Sequence, residues 1–396
     1  MRELKLSVLA LLGAVLLFLV GCANTSARRT DAGLELDISA KGDEGFVVLK
    51  VISMRPISLL NPKWQSVHIS SNGRRDEIVD ITRHSNWLMS KRVPTESLYF
   101  AKLSAGQYEV TGLGSIGPGP GLLLALLASD QASVNRKLPG FKVEAGRLAN
   151  LGTIVFSPEI ENEQPEELFL LNGPVGKKAA LETLLAEANH PEFSLKEGGG
   201  WGKTATAEDE AKALSLARQH VSMLHLRDTG GVLMAGSHLG QIFSRSGPQN
   251  WVRESIDTIS TVFSVASTPA GITVAGSDYG KYFVKGSGGT WQTYRLGSEV
   301  KPITHIEPRP DGSIIFIAGD YQQSKLWLKK SLEDVNEAPT LITTLPGPPD
   351  HILVNDKSIF MARNIPGISR ETVINRVDKM SLSVASQNEK FWVIEW

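Results

Sequence analysis

The chain has one cysteine, Cys22, in 396 residues. No internal disulfide can form, so stability rests on buried apolar surface. Runs of Lys or Arg are also missing. With 41 basic and 42 acidic residues the formal net charge is −1, and nothing in that balance argues for nucleic acid as a partner. The N-terminal apolar run, Leu6 to Gly21, covers sixteen residues, short of the roughly twenty that a bilayer-spanning helix needs. H-E-x-x-H and G-x-S-x-G do not occur, which leaves the zinc-protease motif and the nucleophile elbow without residues to build them. What remains, 41% apolar and 21% charged, is ordinary for a globular chain with sizeable cores, and the length fits two or three domains.

Arg2 and Lys5 precede the apolar run, which ends in Leu19-Val20-Gly21-Cys22. Charge, length and small-residue exit are those of a cleaved export signal. The segment resembles the bacterial lipobox, in which cleavage between Gly21 and Cys22 leaves a Cys whose thiol carries diacylglycerol and whose new amino group is acylated. The resemblance implies no other cofactor. It also implies a membrane anchor, since two or three acyl chains hold a protein where one does not, at about 0.8 kcal/mol per buried CH₂. An uncleaved N-terminal helix and an ordinary signal peptide are the rival readings. Ala23 and Asn24 follow the cysteine, without the Asp that marks inner-membrane retention, so an outer-membrane location, facing periplasm or surface, is expected. Losing Arg2, Glu3 and Lys5 takes the mature chain to a charge of −2.

The expected organisation is a signal peptide at 1–21, a lipidated tether at 22–32, a β-sandwich at 33–171, a helical connector at 172–220 and a propeller-like repeat at 221–396. Leu34, Leu36 and Ile38 alternate with polar residues, and Gly42-Asp43-Glu44-Gly45 leads into Phe46-Val47-Val48-Leu49, which predicts a hairpin. Further short strands are predicted at 66–70, 77–81, 98–103, 107–110, 141–143 and 151–156, enough for a sandwich. Leu103-Ser104-Ala105-Gly106-Gln107-Tyr108-Glu109-Val110 and Phe141-Lys142-Val143-Glu144-Ala145-Gly146, followed by Asn150-Leu151-Gly152, are similar to pieces of the transthyretin-like, carboxypeptidase regulatory-like sandwiches. That resemblance implies a turn glycine, an inward tyrosine and a binding or spacer module. Beyond Asn172-Gly173-Pro174 the period becomes helical, with Leu181, Leu184, Leu185 and Ala188 on one face. A second helix is predicted from Thr206, whose hydroxyl caps it.

An internal repeat with a period of forty follows. Gly231 to Gly240 recurs as Gly271 to Gly280, and the offset holds through Phe243/Phe283 and Trp251/Trp291. Gly236, Gly240, Gly276 and Gly280 mark its turns. A weaker copy runs through Asp311-Gly312, Ala318-Gly319 and Leu326-Trp327-Leu328, and a further turn is expected at Asp356-Lys357. Such repeats cannot bury both faces alone and must stack. They resemble sialidase-like (BNR) propeller blades. Ser287-Gly288-Gly289-Thr290-Trp291 is the nearest piece, one residue short of the family form and without its Asp. At that period Val221 to Trp396 leaves room for about four to five blades. The resemblance implies a structural role for this turn, and the tryptophans Trp201, Trp251, Trp291, Trp327, Trp392 and Trp396 are expected mostly in blade packing.

Four places bear on chemistry. Gly112-Leu113-Gly114-Ser115-Ile116-Gly117 matches G-x-G-x-x-G, but Pro118-Gly119-Pro120-Gly121 stands where the phosphate-binding helix must start. Leu122 to Ala128 is an apolar stretch that suits a packed helix or a membrane or partner patch. His220 and His225, flanking a strand-like Val221 to Leu226, would fall on opposite strand faces, so no metal site is expected. Glu254, Asp278 and Glu307 with Tyr279 or Tyr294 are the residues from which a sialidase-like site would be drawn, but that family's three arginines find no counterpart. The expectation is a non-enzymatic, mainly β envelope lipoprotein that binds a protein partner. The alternative is a glycan-binding or sialidase-like carbohydrate-active protein.

Overall fold

A computed structural model describes residues 27–30, 33–39, 41–54, 64, 66–79, 81, 96–114, 131–133, 138–157, 167–188, 195–248, 250–286, 288–297, 301–319, 323–332, 334, 337–345, 351–354, 358–362 and 391–395. Gly21 and Cys22, the whole of 115–130 with its apolar stretch, and the turn at Asp356-Lys357 lie outside them. The described residues up to Ala217 form one compact unit and those from Arg218 onwards a second. Strands dominate, with two α-helices of more than one turn among the described residues.

The first unit contains β1 (Ala27–Thr30), β2 (Gly33–Leu36), β3 (Glu44–Ser53), β4 (Ser66–Ser71), β5 (Arg74–Val79), β6 (Glu96–Ser104), β7 (Gly106–Gly114), β8 (Gln131–Ser133), β9 (Phe141–Val143), β10 (Leu148–Ser157) and β11 (Glu167–Leu171). Helix α1 (Pro174–Ala188), β12 (Gly200–Trp201) and helix α2 (Ala207–Gln219) follow. One sheet runs β11-β10-β3-β6, with β3 and β10 parallel; the other runs β12-β9-β7-β4-β5, with β8 on β7. Strand β3 sits in the middle because Phe46 to Ile52 is apolar at almost every position, which demands cover on both faces. Val47, Leu49 and Val51 meet Val67, Ile69, Tyr108 and Phe141 of the facing sheet. Phe46 and Val48 meet Leu98, Phe100, Leu148 and, from α1, Leu184. The unit is thus a sandwich with a helix laid over one outer face. Each fully buried Leu, Val or Phe contributes roughly 1.5–3 kcal/mol. Lys50, on the helix-covered face, is neutralised by Glu96, with Nζ and Oε2 2.6 Å apart.

Three expectations change here. The predicted hairpin between 34–38 and 46–49 does not form: β2 pairs with β1, and β3 pairs with β6 and β10. A strand buried on both faces needs long apolar neighbours, and the short, alternating β2 cannot be one. Ala27–Thr30, inside the segment expected as tether, is a strand. On α1 the buried stripe is Gly176, Ala180, Thr183, Leu184, Glu187 and Ala188, with Leu181 and Leu185 at its margin.

Both helix starts are satisfied by side chains. Thr206 Oγ1 accepts the Asp209 amide at 3.1 Å and donates to Asp209 Oδ2 at 2.9 Å. At α1 the buried Glu210 carboxylate, reaching from α2, accepts the amides of Gly173 (3.0 Å), Val175 (2.8 Å) and Gly176 (2.8 Å). These are donors that a helix start leaves without internal acceptors, and a negative charge suits that end of the dipole.

The second unit is a series of antiparallel meanders. The first holds β13 (Arg227–Asp228), β14 (Val232–Gly236), β15 (Gln241–Ser246) and β16 (Val252–Ser255). The second holds β17 (Val262–Ser267), β18 (Thr273–Ser277), β19 (Lys281–Lys285) and β20 (Gln292–Arg295). The third holds β21 (Ile303–Pro308), β22 (Ile314–Gly319), β23 (Ser324–Lys329) and β24 (Thr340–Leu345). The fourth, with three strands, holds β25 (His351–Val354), β26 (Ser358–Ala362) and β27 (Phe391–Glu395). Successive meanders stack, β14 on β17 and both β17 and β18 on β21. This is propeller-like blade packing. Val221 to Leu226 is not a strand; Leu224 N donates to Gly236 O at 2.8 Å, and His225 takes a left-handed φ of 30°.

Candidate functional site

The repeat residues cluster in the seams between blades. Leu239 and Gly240 have φ of 57° and 69°, and Tyr279 and Gly280 have 55° and 62°. The repeated turn is therefore built from two consecutive left-handed residues, a conformation that glycine adopts without penalty. Leu239 and Tyr279 are held in it by burial. Each glycine links its turn to the strand end that follows: Gly240 N donates to Ser260 O and Gly240 O accepts from Ile256 N, and Gly280 does the same with Lys301 and Leu296. Gly236 and Gly276 act differently. A Cβ on Gly236 would lie 2.2 Å from Val262 O, and one on Gly276 would lie 2.6 Å from Ile303 Cγ2. They are glycine because the first strand of the next blade passes directly over them.

Polar side chains close the same seams. Thr261 receives contacts from both repeat turns: its Oγ1 lies 3.1 Å from His238 Nδ1, its amide donates to Asp278 Oδ2 at 3.3 Å, and its carbonyl accepts from Ser277 Oγ at 2.7 Å. The tryptophans carry cations. Arg245 lies 4.9 Å over Trp251 and Lys285 lies 5.8 Å over Trp291. Trp291 Nε1 donates to Glu254 Oε1 at 2.9 Å, and Lys285 pairs with the same carboxylate. Blade two is thereby stapled to blade one. Trp201 is not a blade residue at all; it lies in the sandwich core, edge-on to Phe141, with Nε1 donating to Leu151 O. The Trp392 side chain and Trp396 lie outside the described residues.

Two arginines had no signal in the sequence. Arg218, at the end of α2, donates to Leu239 O (3.0 Å), Ile256 O (3.2 Å) and Thr258 O (3.2 Å), clamping the first repeat turn; its burial pulls the guanidinium pKa down. Arg227 of blade one pairs with Glu307 of blade three and donates to Ile306 O. In a linear reading both are ordinary arginines at the end of a helix and in a short polar strand, and only the tertiary fold gives them their acceptors.

The carboxylates considered for catalysis are dispersed. Glu254 is on the outer strand of blade one, Asp278 is buried in a turn of blade two, and Glu307 is on the inner strand of blade three. Tyr279 is buried in its turn, and Tyr294 stacks on Tyr282 with ring centroids 5.3 Å apart. Burial pushes the Tyr282 hydroxyl up to about 12. No group of three or more metal-ligating side chains converges among the described residues. Gly112 and Gly114 of the G-x-G-x-x-G match lie on β7, between antiparallel partners β4 and β8, and Ser115 to Gly117 lie outside the described residues. No described helix is long and apolar enough to cross a membrane.

In the first unit the two residues singled out by resemblance have structural duties. Gly106 opens β7 directly after the turn from β6, and Tyr108 points inward, its ring 5.4 Å from Phe141 and its hydroxyl donating to Ser104 O at 2.8 Å.

No protein-family model matches the chain, and no curated protein matches it. Among the solved structures that match is the β-propeller domain of Cps50 (Swd1) from Myceliophteria thermophila, at 10% identity and a TM-score of 0.27, covering 33% of this chain. The match spans about half, 49%, of that domain, and a likeness at this level assigns no function.

Proposed function

We propose that this chain is an envelope lipoprotein, anchored to the outer membrane by acyl chains on Cys22, whose sandwich and propeller-like unit bind a protein partner without catalysis. The lipobox resemblance of Leu19 to Cys22 supports the anchor. The transthyretin-like and BNR-like resemblances support two binding or spacer modules carried on it. The observation that carries the non-enzymatic reading is the use of the repeat unit's acids: Glu254 holds Lys285 and Trp291, Asp278 holds the Thr261 amide, and Glu307 holds Arg227. Glu254 and Glu307 each close a seam between blades, and Asp278 is buried within a turn of blade two, whereas a catalytic acid would face a cleft. A glycan as ligand remains the alternative chemistry for the same blades.

Two experiments test this. Cys22→Ser is expected to move the protein from the membrane to the soluble periplasmic fraction; retention on membranes at high salt overturns the lipid anchor. In-cell crosslinking of the lipidated protein, with a form lacking 221–396 as control, is expected to yield a discrete protein that the shortened form loses. Equal capture by both forms overturns the binding role of the repeat unit, and saturable binding to glycan arrays without any protein adduct favours the alternative.

A further inference from the structure

Blade two shows what the repeat does with one of its faces. Ala275 and Phe283 pack on Met234 and Ile242 of blade one, and Phe283 is 2% exposed. Beside them Lys285 and Trp291 converge on the Glu254 carboxylate. Residues forty positions earlier form the matching face of blade one: Leu233 opposite Arg245, and Ala235 and Arg253 on either side of Phe243. There Phe243, Trp251 and Leu233 are only half-buried. The Arg245 Nε is buried and has no hydrogen-bond acceptor among the described residues. Where blade two has the neutral Thr293, blade one has Arg253, whose guanidinium sits 5.7 Å over Phe243 and donates to Gln241 Oε1 at 2.7 Å.

We propose that this face of blade one, formed by Leu233, Phe243, Arg245, Trp251 and Arg253, docks a segment of another polypeptide that presents a carboxylate between apolar side chains. The inference deepens the protein-binding reading above and rests on it. The internal precedent sets the occupant's chemistry. At equivalent positions a Lys–Trp pair takes one carboxylate, flanked by the apolar Met234 and Ile242. An Arg–Trp pair in the same geometry takes the same group, and a guanidinium can do so with two parallel hydrogen bonds. Aromatic and arginine side chains in a half-buried patch are also the residue types that dominate binding energy at protein interfaces. Arg253 adds a second positive charge, which complements an acidic segment and disfavours a basic one.

The test uses the full-length, lipidated protein with a benzophenone amino acid in place of Arg253, irradiated in cells, the adducts being mapped by mass spectrometry. The expected adduct is on another polypeptide, at a peptide carrying Asp or Glu beside apolar residues. Its yield is expected to fall at least tenfold with Arg245→Glu and to return with Arg245→Lys, the cation that blade two uses. An adduct within residues 351–395 of the same chain, an adduct on a second copy, undiminished yield in Arg245→Glu, or no adduct at all each overturns the proposal; the last would make Arg253 a solvated cap. The same crosslinker at Leu341, exposed on β24, separates the two readings. Adducts from 341 alone leave a protein-binding unit that does not use this face of blade one.

Discussion

Gly276 and Glu210 show how much rests on single side chains, or on their absence. Replacing Gly276 with Ala puts a methyl 2.6 Å from Ile303 Cγ2 and 2.7 Å from Ser264 Oγ, an overpacked seam expected to cost about 1–3 kcal/mol. Gly286→Ala, with nothing within 4 Å of the new Cβ, is the control and is expected to be neutral or stabilising by about 0.4–1 kcal/mol. Urea midpoints of the two variants check this, and equal midpoints would show that blade two is not tightly apposed to β21. Glu210→Gln turns an NH₂ toward one of three amides that now share a carboxylate. A loss of about 1–3 kcal/mol in the unfolding of the first unit is expected. Lys50→Met leaves Glu96 buried without its cation, at about 3–5 kcal/mol, whereas Lys50→Met with Glu96→Gln is expected to recover much of it. A double variant no better than the single one would mean that the ion pair is not what holds this spot.

The blades make a prediction in alkali. Tyr282 packs against Tyr294 and Phe316 in the seam between blades two and three, and its pKa of about 12 lies above the ordinary value of 10. The neutral phenol is the form that folding favours, so its contribution is complete below pH 10 and is lost as pH rises from 10 to 12. Phenolate absorbance should show one tyrosine ionising late, together with loss of folded signal. Tyr282→Phe should hold its folded signal further into that window, and a variant that unfolds at the same pH as the parent would assign the alkaline transition elsewhere. Elements of this kind were largely legible in the sequence. The strands from 231 to 295 follow a forty-residue period because each must present the same alternation to the same neighbours. The capped start of α2 was legible too, since Thr206 and Asp209 act within one turn. What was hidden is what depends on partners distant in sequence. The predicted β2–β3 hairpin failed because β3 answers to β6 and β10, and the Val221–Leu226 strand is interrupted where His225 takes a left-handed φ of 30°. The mismatch between Trp201 and the blade tryptophans has the same origin, since residue type alone does not say which core a tryptophan fills.

Over the whole chain, the change of pattern near Asn172 was visible locally, while the helix covering one sheet of the sandwich and the clasp between nonadjacent blades were not. That clasp, Arg227 to Glu307, is testable. Arg227→Met strands a largely buried carboxylate; with Arg227 itself about one-third exposed, a loss of roughly 2 kcal/mol is expected, below the range for a fully buried pair. Denaturation monitored by hydrogen exchange at β14 and β21 would register it, and no change at β21 would mean that the contact carries no stability.

Stacked repeats usually hold together as a row of nearest neighbours, each unit free to detach from the end. A link from the first member to the third breaks that rule, because detaching blade one then disturbs blade three without passing through blade two. For this protein the consequence is cooperativity: the three blades should open as one block, with no populated species that has lost only its first blade.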